Sequence, residues 1–127
     1  MNTDSEKLNE ISGKIIGAAF KVANALGPGF LEKVYENALV HELKKSGMLV
    51  EQQKPVKVYY DGVTVGDYFS DICVEGIIIV ELKAAGRIED IHVAQCLNYL
   101  KATNLRLALI LNFGKPRLEI KRLANSY

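Results

Sequence analysis

The chain has 127 residues, 49% hydrophobic and 24% charged, which is enough for one domain with a packed core and too little for two. Its formal net charge of +1 gives no electrostatic case for a nucleic-acid partner. No apolar run approaches a bilayer span, and the polar, acidic start MNTDSEKLNE is unlike a secretory signal, so membrane-spanning and exported classes are set aside.

Thr3 to Glu6 fits a capping box, and Leu8, Ile11, Ile15, Ile16, Ala19, Val22, Ala23 and Leu26 then recur at helical spacing. The segment LGPG ends that helix, with Gly27 as a left-handed cap and Pro28 as a breaker. A second helix is predicted from about Leu31 to Ser46, stopped by Gly47, with Leu31, Val34, Tyr35, Ala38, Leu39 and Leu43 as its apolar positions. The period then changes. Asp61-Gly62 marks a hairpin and Glu75-Gly76 a second turn, giving three antiparallel strands over about Val56–Tyr60, Val63–Val74 and Ile77–Ala84. A third helix spans about Ile88–Ala102 and closes at Asn104. LRLALILNF reads as a buried strand, and RLEIKRL as an edge strand after the turn at Gly114-Lys115-Pro116. The expected architecture is a single α/β domain over residues 1–127, in the order ααβββαββ, with a mixed sheet flanked by helices.

Cys73 and Cys96 lie among apolar neighbours without CxxC spacing. They read as buried thiols with no disulfide partner and no zinc, in a reducing and hence cytoplasmic compartment. The basic clusters Lys44-Lys45, Lys54/Lys57 and KPRLEIKR read first as solvated surface.

The chemistry concentrates at the end of the third strand. Side chains alternate on a strand, so Ile77, Ile79, Glu81 and Lys83 share one face and Ile78, Val80 and Leu82 the other. Burying either charge unpaired costs several kcal/mol, roughly. Two arrangements meet that cost. Glu81 and Lys83 pair at a wet sheet edge, or Glu81 binds a metal beside which Lys83 holds water. A strict two-residue turn at Glu75-Gly76 would pair Val74 with Ile77 and turn Asp71 away from Glu81. A three-residue loop, Val74-Glu75-Gly76, or a bulge, would bring Asp71 to the face of Glu81, opposite Ile79.

Glu-x-Lys alone is uninformative, since Glu42-Leu43-Lys44 and Glu119-Ile120-Lys121 also carry it. Only Glu81-Leu82-Lys83 closes an apolar strand, after a hairpin whose first arm carries Asp71. In that context the chain resembles the PD-(D/E)XK nucleases. Three blocks narrow the likeness: Gly29-x-x-Glu32-x-x-Tyr35 within GPGFLEKVYENAL, then YFSDICVEGIIIVELKA, then HVAQCLNYLKATNLRLALILNFG. Together, over roughly residues 10 to 123, they resemble the bacterial GxxExxY protein family, a small branch of that group. Ser70 stands where the superfamily pattern has proline before the aspartate.

The resemblance implies a restriction-endonuclease-like fold and a hydrolase of phosphodiester bonds in nucleic acid that uses magnesium or manganese. Asp71 and Glu81 would ligate the ion with the Leu82 carbonyl, and Lys83 would position or deprotonate water. Glu32 is either a further ligand or a carboxylate placed in a first helical turn by the helix dipole. Tyr35 shares its face and is either site or core. Gln95 and Tyr99 share a face of the third helix and resemble the Gln-x-x-x-Tyr motif that contacts substrate in RecB-like nucleases. Gln95 is otherwise an exposed helix position and Tyr99 a core aromatic. His92, one turn before Gln95, is a surface histidine or a phosphate contact. The alternative function is a non-catalytic or weakly catalytic nucleic-acid-binding or protein-interaction module on the same fold. Either reading admits a homo-oligomer.

Overall fold

The computed structural model describes residues 3–125. The elements follow in the expected order: α1 (Thr3–Leu26), α2 (Glu32–Lys45), β1 (Val50–Tyr60), β2 (Val63–Val74), β3 (Ile78–Lys83), α3 (Asp90–Thr103), β4 (Leu107–Asn112) and β5 (Glu119–Ala124). The capping box expected at Thr3 depends on a side chain that lies outside the described residues. No helix among the described residues is long and apolar enough to cross a membrane.

The strands form one mixed sheet in the order β1-β2-β3-β4-β5. Only β3 and β4 run parallel, with α3 as their crossover; the other neighbours are antiparallel. The continuous apolar run of β3 follows from this central place, where both faces need cover. Ile78, Val80 and Leu82 pack under α1 and α2 with Ile15, Tyr35 and Leu39. Ile79 packs under α3 with Cys96, Leu100 and Ile110. The alternation read along β3 therefore holds. Both cysteines are free and buried.

Several boundaries move for local reasons. Gly27, at φ 67°, donates its N–H to the Ala23 carbonyl and ends α1. In α2, Leu31 is the N-cap and Val34 remains exposed, while Glu36 and Val40 join Tyr35, Leu39 and Leu43 on the buried side. Buried Glu36 is satisfied by Lys33, Gln52 and Gln53. Those glutamines belong to β1, which starts at Val50, six residues before the expected Val56. Asp61 (φ 55°) and Gly62 (φ 77°) make the tight β1–β2 turn, and Asn104 (φ 60°) closes α3.

Candidate active site

The second hairpin decides the site. Glu75 (φ 54°) and Gly76 (φ 68°) form a two-residue turn closed by the Ile77 N–H on the Val74 carbonyl at 3.1 Å. The ladder resumes one residue later, pairing Val74 with Ile78, Cys73 with Ile79 and Ile72 with Val80. Ile77 is the extra residue. The next position along this register sets Asp71 opposite Glu81, not opposite Ile79. The carboxylates thus converge, by the bulge rather than by the Val74–Gly76 loop.

The β2–β3 ladder has only those three rungs. Beyond them the Asp71 carboxylate enters between the strands, and its Oδ2 accepts the Leu82 N–H at 2.9 Å. The N–H and C=O of one strand residue point to the same edge, so the Leu82 carbonyl is directed toward β2 as well. The Lys83 carbonyl faces the other way, accepting from the Phe113 N–H.

Glu81 is 9% exposed, and its Oε1 is buried without a hydrogen-bond partner. Burial, reinforced by the neighbouring Asp71 carboxylate, pushes its carboxyl up to about 9, with Lys83 pulling the other way. The expected alternative, a Glu81–Lys83 ion pair, is not among the salt bridges of the described residues, and neither is any pair to Lys83.

Around these groups lies a cavity of about 200 Å³. Glu32 enters it from α2, Phe69 and Asp71 from β2, Glu81 and Lys83 from β3, and His92, Gln95 and Tyr99 from α3. Burial raises the Glu32 carboxyl; Lys83 and a hydrogen bond from the Ala84 backbone offset part of that, and Asp71 adds to it. The His92 Nδ1 accepts the Glu89 N–H at 3.0 Å, so His92 caps α3 and reaches the cavity at once. Burial, then Glu81, lift the Cys96 thiol at the cavity wall to about 12, so it is no thiolate nucleophile near neutral pH. Larger hollows of about 310 Å³ beside Lys7 and Arg106, and of about 290 Å³ between β1 and the end of α3, bring no pair of carboxylates together.

Of the residues expected at the site, Tyr35 alone is absent. It is fully buried, stacks on Phe113 at 4.8 Å, donates its hydroxyl to the Gly27 carbonyl at 2.6 Å and accepts the Phe30 N–H at 3.1 Å. It has no surface to offer a substrate. The Gly29-x-x-Glu32-x-x-Tyr35 pattern becomes mechanical. Gly29 takes φ 113°, Tyr35 ties down the α1–α2 loop, and Glu32 is delivered to the cavity.

Sequence reasoning missed Tyr68. Its ring stacks on Tyr99 at 3.4 Å, and its hydroxyl is buried without a partner. Burial, then Glu81, raise it, so it stays a neutral donor. Cys73, opposite Ile79, and Tyr68, on Tyr99, both face α3, although five positions apart they should face opposite ways. The alternation is reset between them. There Gln53 holds φ 53°, and the rung between Gln53 and Asp71 is missing from the β1–β2 ladder. No residue type in β2 announces this reset.

A second cluster holds the strand end in place. The Asn112 side chain, fully buried, accepts the Ala85 and Gly114 N–H groups and donates to the Ala85 carbonyl and to Glu119. Glu119 also accepts the Ile88 N–H; these hydrogen bonds, Asn112 first, hold its carboxyl below the usual range. A Cβ on Gly114 would lie 2.4 Å from the Ala85 N and O, so only glycine allows this approach.

A sequence profile of the PD-(D/E)XK nuclease superfamily matches residues 9–123. The chain belongs to that superfamily. Comparison with curated proteins and with solved structures yields no significant match. Membership accords with the five-stranded mixed sheet flanked by helices, and Asp71, Glu81 and Lys83 line one cavity where β2 and β3 part.

The superfamily implies a divalent cation. Among the described residues, no group of three or more His, Cys, Asp and Glu side chains is arranged to hold one. What the site offers is two facing carboxylates, one oxygen of which is buried and orphaned, and a backbone carbonyl aimed at them. These are hard oxygen donors, too few for a full protein cage, as suits an ion that keeps water and substrate oxygens. The residues fit.

Proposed function

We propose that the protein is a divalent-metal-dependent phosphodiester hydrolase acting on nucleic acid, with Mg²⁺ or Mn²⁺ as the ion. The observation that carries this reading is the buried, unpartnered Glu81 Oε1 beside the half-buried Asp71 carboxylate, two acids whose joint ionisation costs stability unless a proton or cation is shared. Asp71, Glu81 and the Leu82 carbonyl would hold the ion, with Glu32 assisting from α2. When bound, it supplies Lewis-acid polarisation of a phosphoryl oxygen and a more acidic water. Lys83, without an acid partner, orients the attacking water and offsets charge growing on the phosphate. Gln95, Tyr99 and His92 form the α3 wall against which the strand is aligned. The three sequence blocks support placing the chain in the GxxExxY branch, as one unit over residues 1–127 in the cytoplasm of a bacterium.

The near-neutral charge favours a second reading, a binding module with weak or no catalysis. Incubation with single- and double-stranded DNA and RNA in Mg²⁺ or Mn²⁺ separates them. Cleavage by the unsubstituted chain that is lost in Asp71→Ala supports the hydrolase; no cleavage of any substrate with either ion supports the module.

A further inference from the structure

Four elements bring polar groups to the cavity, and for three of them a large apolar side chain is exposed nearby in the chain. Glu32 follows Leu31, 81% exposed; Asp71 lies two residues after Phe69, 55% exposed; His92 follows Ile91, 57% exposed. Phe69 lines the cavity itself. Its neighbours on β2, Tyr68 and Ser70, are turned inward, so Phe69 stands on the open side of the strand. A polar hollow with an exposed aromatic side chain on its lining suits a ligand that is anionic at its centre and flat and apolar at its margin.

We propose that the site takes single-stranded nucleic acid and that Phe69 is the platform on which an unpaired base stacks. This rests on the phosphodiesterase reading of the cavity and names its substrate class. Two observations favour a single strand over a duplex. Duplex affinity comes mainly from neutralising phosphates with unpaired Lys and Arg. Here the net charge is +1, and the lysines on β1, the strand next to Phe69, are engaged: Lys54 with Glu51 at 3.5 Å and Lys57 with Asp67 at 3.6 Å. Stacking on Phe69 draws on none of that charge, and a base inside a duplex has no free face to stack. Phe69 is 55% exposed and lines the same hollow as Asp71 and Glu81, so a base beside that hollow can stack on it only when unpaired. Phe69 touches the base and not the reacting atoms, so it sets specificity.

The test is fluorescence anisotropy in Mg²⁺ with the Lys83→Ala protein, which should hold substrate without cutting it. Labelled single strands of DNA and of RNA are compared with duplexes of the same sequence. The single strand is expected to bind at least tenfold tighter than its duplex, on the order of one stacked base. Adding Phe69→Ala should weaken single-strand binding about tenfold and leave duplex binding unchanged. Phe69→Tyr should restore it, and a strand of abasic sites should bind no better than the Phe69→Ala protein binds the intact one. Either sugar supports the proposal, and the tighter arm identifies it. Duplex binding equal to or tighter than single-strand binding overturns it, as does an unchanged affinity in Phe69→Ala, or no binding of either form. Because Phe69 is half exposed, its loss leaves the core intact. If stacking is found but the unsubstituted chain cuts nothing, the hydrolase reading fails and this one stands. If the chain cuts but Phe69→Ala binds normally, only the stacking platform fails.

Discussion

The Asp71 carboxylate occupies a hydrogen-bonding position of the sheet itself, accepting the Leu82 amide at 2.9 Å where the β2–β3 ladder has ended. That single bond fixes one oxygen of Asp71 and leaves the other toward Glu81. An acid held by the backbone in this way stays beside Glu81 when no cation is bound, so the cost of ionising both acids together is built into the fold.

Mg²⁺ or Mn²⁺ should therefore raise the melting temperature by several degrees at concentrations well above Kd, since binding to the folded state alone adds about 2.7 kcal/mol at a hundredfold excess. Asp71→Asn keeps an acceptor for the Leu82 amide and should fold normally while losing that shift. Differential scanning fluorimetry with and without EDTA reads both. An equal shift in the variant would put the ion elsewhere.

Stability without metal should depend on pH through Glu81. Its carboxyl is raised from the ordinary 4.5 to about 9 in the folded state. Below pH 4.5 both states hold the proton and nothing is lost. Between about 4.5 and 9 the unfolded chain ionises while the folded one retains its proton, so stability falls as pH rises, then levels off. Raised Glu32 adds to the loss in the same direction. Glu81→Gln should flatten most of the slope, measured as melting temperature against pH in EDTA. A metal-free protein that grows more stable from pH 5 to 8 contradicts the assignment.

Lys83→Ala separates binding from chemistry. Lys83 bears a cation and donates no lone pair, so removing it should leave the metal-induced stabilisation intact or larger. Cleavage should drop by about 10²-fold or more, with the loss in kcat and not in affinity. A variant that cuts as fast as the unsubstituted chain would point to a contaminating nuclease.

Tyr35→Phe tests whether the tyrosine of the GxxExxY pattern is structural. The ring keeps its stacking on Phe113, but the Gly27 carbonyl and Phe30 amide lose their partner. The expected cost is about 1–3 kcal/mol in urea unfolding, with the metal-induced shift preserved. Loss of metal binding at unchanged stability would return Tyr35 to the site.

The order of elements was legible in the chain because it depends on local terms. Hydrophobic period separates the helices from the strands, Asp61-Gly62 and Asn104 supply left-handed turns, and the run before Glu81 needs burial on both faces. Alternation along β3 likewise put Glu81 and Lys83 on one face from sequence alone. The three decisions that make the site were not local. One extra residue at Ile77 moves Asp71 from opposite Val80, where a strict two-residue turn would leave it, to opposite Glu81, a choice between registers that the sequence permits but does not force. Left-handed Gln53, with its missing rung to Asp71, turns Tyr68 toward Tyr99, which no propensity encodes. Tyr35 went to the core because the α1–α2 loop places Gly27 and Phe30 around its hydroxyl, whereas Glu32, one turn earlier on the same helix, found the end of β3. Spacing sets which residues share a face. What that face meets depends on where distant segments pack, and only the tertiary structure contains that.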